Sequence, residues 1–372
     1  MRCVLVVWLG LAGCGRLGFD GAGSGPGPAD GSDAEPAIGA LACGQTRVIA
    51  ELPELPLGLE LVATGDGAIA AWTTAGAAGT LAGVKLAMSS DSIVAADRLM
   101  AALPGPVAGF GLVADGARMM LSAQTTSGAL IAPLDATLQP TGAATTRDVQ
   151  ITTRAVAEPS APGGPFIAAW IDGEEALVSE LDASGAPIGT LYQKPAGHDV
   201  AIRHAAQRDV LVWSAADGGC VVWAFDVGFM PVLADPLVYP PGGSCQRSAI
   251  TRDADATGTN LLAWLDQGTA HAQLGTDTDM VGGELMLNAA TDDIDIATSA
   301  TGFFVANASN DAVLPAYVGL DGTVRALFTT VPHVRGSPLR LIEHGPDALL
   351  ISVGEAPSAA QQILLTRLCV PP

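Results

Sequence analysis

Leu261–Leu274 reads LLAWLDQGTAHAQL: an apolar run ending at Trp264, a turn of polar and small residues, then a second apolar-rich run from Ala270. Close copies of the first run recur as IAAW ending at Trp72, IAAW ending at Trp170 and VLVW ending at Trp213. Weaker copies are MLSA ending at Ala123, FVAN ending at Asn307 and ISV ending at Val353. These seven anchors stand 51, 47, 43, 51, 43 and 46 residues apart. A period in the forties made of strands alone is the pattern of an all-β, seven-bladed β-propeller with four antiparallel strands per blade. A six-bladed ring would follow if the weak copy at Ala123 or Val353 were not a complete blade. The architecture says little about chemistry, because propellers carry many unrelated functions.

The N-terminus reads as an address. Arg2 is followed by the apolar run Val4–Gly13 (VLVVWLGLAG), too short to span a bilayer as a helix, which needs ~20 residues. The run ends in Leu11-Ala12-Gly13-Cys14, which resembles the lipobox of bacterial lipoproteins. The resemblance implies that residues 1–13 are a signal peptide and that Cys14 is lipidated and becomes the mature N-terminus. Gly15, standing where an aspartate would resemble an inner-membrane retention signal, implies outer-membrane sorting. Residues 14–40 are rich in Gly, Ala, Ser, Pro, Asp and Glu with few large apolar residues, the composition of a flexible tether and similar to myxobacterial lipoproteins. The domain expected to fold is then 41–372.

Composition narrows the partners. The chain carries 38 acidic against 17 basic residues, a formal net charge of −21. Nucleic acid is disfavoured, because phosphate binding needs Lys/Arg patches and none stands out. Charged residues are 15% of the chain, and Gly reaches 45 residues, a strand-and-tight-turn composition. Like-charge repulsion for solubility explains the acidity more simply than a cation partner does.

With the anchors taken as the second strand (B) of each blade, the inner strands (A) fall at Gly58–Ala63, Gly109–Ala114, Asp148–Arg154, Asp199–His204, Arg247–Arg252, Asp293–Thr298 and Leu339–His344. Most alternate apolar with polar residues, as half-buried strands do. The third strands (C) include Cys220–Phe225 and Gln362–Leu368, and Asp182-Ala-Ser-Gly185 is one of the turns leading to an outer strand (D). The seventh blade lacks a D strand of its own, so Gln45–Leu52 is expected to complete it and remove an open edge. Of six cysteines, Cys3 leaves with the signal and Cys14 takes the lipid. Cys43 and Cys369 then flank the missing C–D turn of blade seven, while Cys220 and Cys245 share one face, so two disulfides, 43–369 and 220–245, are expected.

The A-strand starts and B–C connections share one face, by resemblance to other propellers the top. It gathers Asp148, Asp199, Arg247 and Asp293 at the A-strand starts, with Gln150, Asp295 and Arg340 one step in and Glu60 at the matching place in blade one. Asp172, Glu174, Glu175, Asp217, Asp266 and Asp311 stand in the B–C connections. Carboxylates converging on an axis suit Ca²⁺, which takes ~6–8 oxygen ligands. The mixed signs favour the plainer reading of solvated strand ends. Asp253-Ala-Asp-Ala-Thr-Gly258 looks like a calcium loop but lacks the bidentate glutamate of an EF-hand. His198 and His204 are six residues apart on one strand, some 20 Å at ~3.3 Å per residue, and cannot share an ion. No H-E-x-x-H, G-x-S-x-G, Walker-type or C-x-x-C motif is present. Recurrence of Trp72, Trp170, Trp213 and Trp264 at equivalent positions points to packing rather than a sugar platform. Asn307-Ala-Ser309 matches a glycosylation sequon by chance.

These readings converge on a monomeric, lipid-anchored envelope module that binds a protein or glycan and needs no cofactor. The alternative is a glycan- or peptide-cleaving enzyme acting at the top face, which would need acid–base groups converging in a deep axial pocket.

Overall fold

The computed structural model describes residues 41–371 apart from a series of short stretches, of which 240–244 and 253–257 are the longest. Residues 1–40, with Cys14, lie outside the described residues, as does most of the Asp253–Gly258 loop. The described residues contain strands and no helix, and so no helix long and apolar enough to cross a membrane. The strands form seven antiparallel sheets, the blades of a seven-bladed β-propeller. The inner strands are Pro56–Thr64, Val107–Asp115, Val156–Ala157, His198–Ala205, Gln246–Arg252, Ile294–Ser299 and Arg340–His344. Each contacts the inner strand of the next blade, and the last returns to the first.

A propeller blade is buried on both faces, so every strand-B position faces one neighbour or the other. The core accordingly divides into seven apolar clusters, one between each pair of adjacent blades. The alternation of the anchors sends Trp72, Ala123, Trp170, Trp213 and Trp264 toward the preceding blade. Trp170, Trp213 and Trp264 are at most 2% exposed, which makes them wedges between blades. In blade six Phe303 and Val305 share that face, placing Asn307 in the tryptophan position.

Blade seven shifts this pattern by one residue. Ala348 and Leu350 face blade six, so the equivalent of the anchors is Ser352, whereas Val353 packs toward blade one. A one-residue slip reverses the face of every side chain in a strand. The ISV match therefore locates the right strand with the wrong parity. The third blade departs as well. Its described inner strand is Val156–Ala157, paired with Ala168 and Ile167, later than the expected 148–154. Asp148 lies instead in a bend after the outer strand Thr145–Arg147 of blade two.

The ring closes as expected. Thr46–Leu52 pairs antiparallel with Gln361–Leu368, from Thr46 opposite Thr366 to Leu52 opposite Gln361, and becomes the outermost strand of blade seven. The Cys43–Cys369 disulfide stands where a covalent turn would otherwise join them, and the Gly44 N–H donates to the Arg367 carbonyl at 2.8 Å. Cys220–Cys245 ties blade four to blade five. Three C–D turns use one device, an aspartate whose Oδ1 accepts from the hydroxyl two residues on: Asp135 with Thr137, Asp182 with Ser184, and Asp321 with Thr323. These hydrogen bonds hold all three carboxyls below the usual range. In the second turn Gly185 has φ +80°, which a side chain would strain.

Candidate functional site

The seven inner strands surround an axial channel of about 260 Å³ with contributions from every blade. Most of the residues that line it are apolar, such as Val62, Leu112, Val156, Ile202 and Ile250, because small and branched side chains fill the narrow centre of a ring. Five charged residues interrupt them: Glu60, Arg203, Asp295, Arg340 and Glu343.

At the level of the A-strand starts the charges are locked together. Arg340 donates from Nε to Glu60 Oε1 at 2.8 Å and from Nη1 to Asp293 Oδ2 at 3.0 Å. Nη1 also donates to the Leu339 carbonyl at 2.6 Å. Asp293 further accepts from the Leu339 N–H at 3.2 Å, and Asp295 accepts from the Leu341 N–H at 2.8 Å. Residues one step apart on neighbouring inner strands thus exchange side-chain and backbone hydrogen bonds, stitching blades six, seven and one. All four side chains belong to residues no more than 7% exposed. Burial alone would lower the Arg340 guanidinium, but Glu60, Asp293 and Asp295 together raise it above its ordinary value. The arginine is the cation that these carboxylates serve.

Beside this plug, His333 is buried in the connection entering blade seven. Its Nδ1 lies 3.3 Å from Ser337 Oγ, whose hydroxyl donates to the Val334 carbonyl at 2.6 Å. Nδ1–H must then be the donor in that contact, leaving Nε2 at 3.6 Å from Asp292 Oδ2. Burial lowers the imidazole below its ordinary value, although Asp292 and Asp293 pull the other way.

The residues expected to share the top face therefore part company. Asp293, Asp295 and Arg340 come together, with Glu60, as a buried plug. Asp148 is exposed in the blade two–three connection. Arg247 is exposed too, turned outward at φ +50° where the ladder of blade five is irregular between Gln246 and Ala249. Asp199 lies on the strand His198–Ala205, its side chain outside the described residues. Glu174 and Asp217 also lie outside them. Among the described residues no group of three or more His, Cys, Asp or Glu side chains is arranged to hold a metal ion. Asn307 is 0% exposed, so the sequon is closed to a glycan.

The channel opens at the other end. Along blade one exposure runs from 5% at Leu61 and 4% at Val62 to an exposed Ala63; along blade seven it runs from 2% at Leu341 and 7% at Ile342 to an exposed Glu343. Arg203 lines this lower part and reaches past blade five, Nη1 donating to the Ile296 carbonyl of blade six at 3.3 Å. Glu343 accepts from Thr298 Oγ1 at 2.9 Å. Sequence reasoning passed over both residues, each of which follows an apolar pair on its inner strand.

No protein-family model matches the chain, and no curated protein matches it. Among solved structures it is similar to the WD40 domain of Toxoplasma gondii coronin, with TM-score 0.55 and 10% identity over 90% of this chain and 90% of that one. It is similar to Kuenenia stuttgartiensis hydrazine synthase, with TM-score 0.55 and 13% identity over 82% of this chain and 94% of that one. Against TolB from Acinetobacter baumannii the TM-score is 0.46 at 14% identity, and the chain spans 62% of that protein, under two thirds of its length. At these identities the likeness is one of fold.

Proposed function

We propose that the chain is an exported, lipid-anchored propeller serving as a binding or scaffold module at the cell envelope, its partner an envelope protein or glycan. The observation that carries this reading is the pair of disulfides, one of them closing the ring, since such bonds form and persist in oxidising compartments. The sequence Leu11-Ala12-Gly13-Cys14 and the small-residue stretch after it supply the anchor and tether on this reading. The plug of Glu60, Asp293 and Arg340 suits a scaffold, because it couples the first and last blades and holds the face above it in one shape. Exposed Asp148 and Arg247 on that face are the proposed contacts.

The test is fractionation of the native host expressing wild type and Cys14→Ser. Wild type should enter the outer-membrane fraction and the variant the soluble fraction; a variant retained in the membrane would overturn the anchor. Purified full-length protein should then bind isolated envelope saturably, and Asp148→Lys with Arg247→Glu should weaken it. Binding that both substitutions leave unchanged would move the contact surface elsewhere.

A further inference from the structure

The open half of the axial channel has a composition that the envelope role does not use. Its walls are aliphatic, and among the described residues its lining holds no aromatic ring on which a sugar could stack. At the plugged end Arg340 pairs with Glu60 and Asp293, and Asp295 accepts from the Leu341 N–H. Arg203 and Glu343 line the open half, and no ion pair joins them to each other. Arg203 presents a guanidinium with five N–H donors in a fixed fork, of which one meets the Ile296 carbonyl. Glu343 presents a carboxylate of which Oε2 accepts from Thr298, leaving further acceptor sites at the mouth.

One charge of each sign among the aliphatic residues of the open half selects a ligand that carries both signs and an apolar group. A simple anion would leave Glu343 facing it without compensation, and a simple cation would meet Arg203. The volume, about 260 Å³, falls just below the ~300–1,000 Å³ of drug-sized ligand sites. That fits one small molecule and not a polymer chain.

We propose that the axial channel binds a free α-amino acid with an aliphatic side chain, entering from the A–B-turn face. Arg203 pairs with the carboxylate through charge-assisted hydrogen bonds, Glu343 receives the ammonium, and the aliphatic walls take the side chain. The inference deepens the binding-module reading but needs neither the lipid nor an envelope partner, so fractionation and ligand titration fail separately.

The experiment is isothermal titration of the purified full-length protein with L-leucine, with isocaproate, which lacks the amine, and with isoamylamine, which lacks the carboxylate. Leucine should bind, and each half-analogue at least about tenfold more weakly. Arg203→Gln should weaken leucine about tenfold or more, with Arg203→Lys between it and wild type. Glu343→Gln, a change at an exposed side chain, gives a second reading should the arginine variant fail to fold. No heat with leucine at about 10 mM would overturn the proposal. So would leucine affinity unchanged by substitution at Glu343, or isoamylamine binding as tightly as leucine.

Discussion

Arg340 on the last blade donates to Glu60 on the first at 2.8 Å, across 280 residues of chain, with both side chains less than a tenth exposed. Removing the arginine takes the guanidinium away from two buried carboxylates. Arg340→Met is expected to lower unfolding free energy by about 3–5 kcal/mol, the usual cost of breaking a buried ion pair from one side. In a double-mutant cycle with Glu60→Gln the two losses should fall short of additive by about 1 kcal/mol or more. Urea denaturation measures both, and an Arg340→Met midpoint equal to wild type would show the plug to be dispensable.

The two disulfides should differ in worth. Cys43–Cys369 spans 326 residues of sequence and Cys220–Cys245 spans 25. In the chain-entropy model the first contributes about 6 kcal/mol and the second about 3.5. The Cys43→Ser, Cys369→Ser double variant should therefore melt well below the Cys220→Ser, Cys245→Ser variant, and deleting residues 43–52 should cost more than either. Non-reducing peptide mapping checks the pairing independently.

Acid should destabilise the fold through two of its histidines. His333 is held below the ordinary histidine range by burial, against Asp292 and Asp293; His344 is held below it by burial and Arg367, against Asp347. The unfolded chain takes up these protons near pH 6.5, the folded chain only at lower pH. Between those points the unfolded state binds more protons, so stability falls as pH falls. The urea midpoint should drop between about pH 7 and pH 5, and His333→Gln should flatten that slope. A midpoint that rises on acidification would contradict the assignment.

Asn307 is the tryptophan equivalent of blade six, fully buried, with no hydrogen-bond partner for Nδ2 or Oδ1 among the described residues. Its neighbours Phe303 and Val305 are apolar. Asn307→Leu is expected to raise stability by about 1–3 kcal/mol, read as a higher melting temperature. A loss of stability would show that the amide is satisfied in solution.

The ring was legible in the sequence because its determinants are local and repeated. Trp170, Trp213 and Trp264 mark one strand of one blade each, and the missing outer strand of blade seven left only Gln45–Leu52 to fill its place. Cysteine positions followed from that threading and agree with the bonds observed. What escaped depends on parity and on distance across the ring. Val353 and Ser352 differ by one residue, and a short match such as ISV cannot tell which faces blade six. The acidic and basic residues of the inner strands read as a solvated ring, because nothing in the order Glu60, Asp293, Arg340 shows that the three meet in the interior. Arg203 was invisible for the same reason, its partner Ile296 lying two blades away.

The outermost strand of blade seven has a mechanical consequence. Any load applied to the chain ahead of Cys43 reaches the bond to Cys369 before it reaches Thr46 and the first pair of the ladder. Tension is passed into the last blade through sulfur, and the strand that closes the ring is shielded from being peeled away one hydrogen bond at a time. Under reduction the same pull would begin at Thr46 and unzip toward Leu52, so the domain should be strong in force spectroscopy only while that bond is intact.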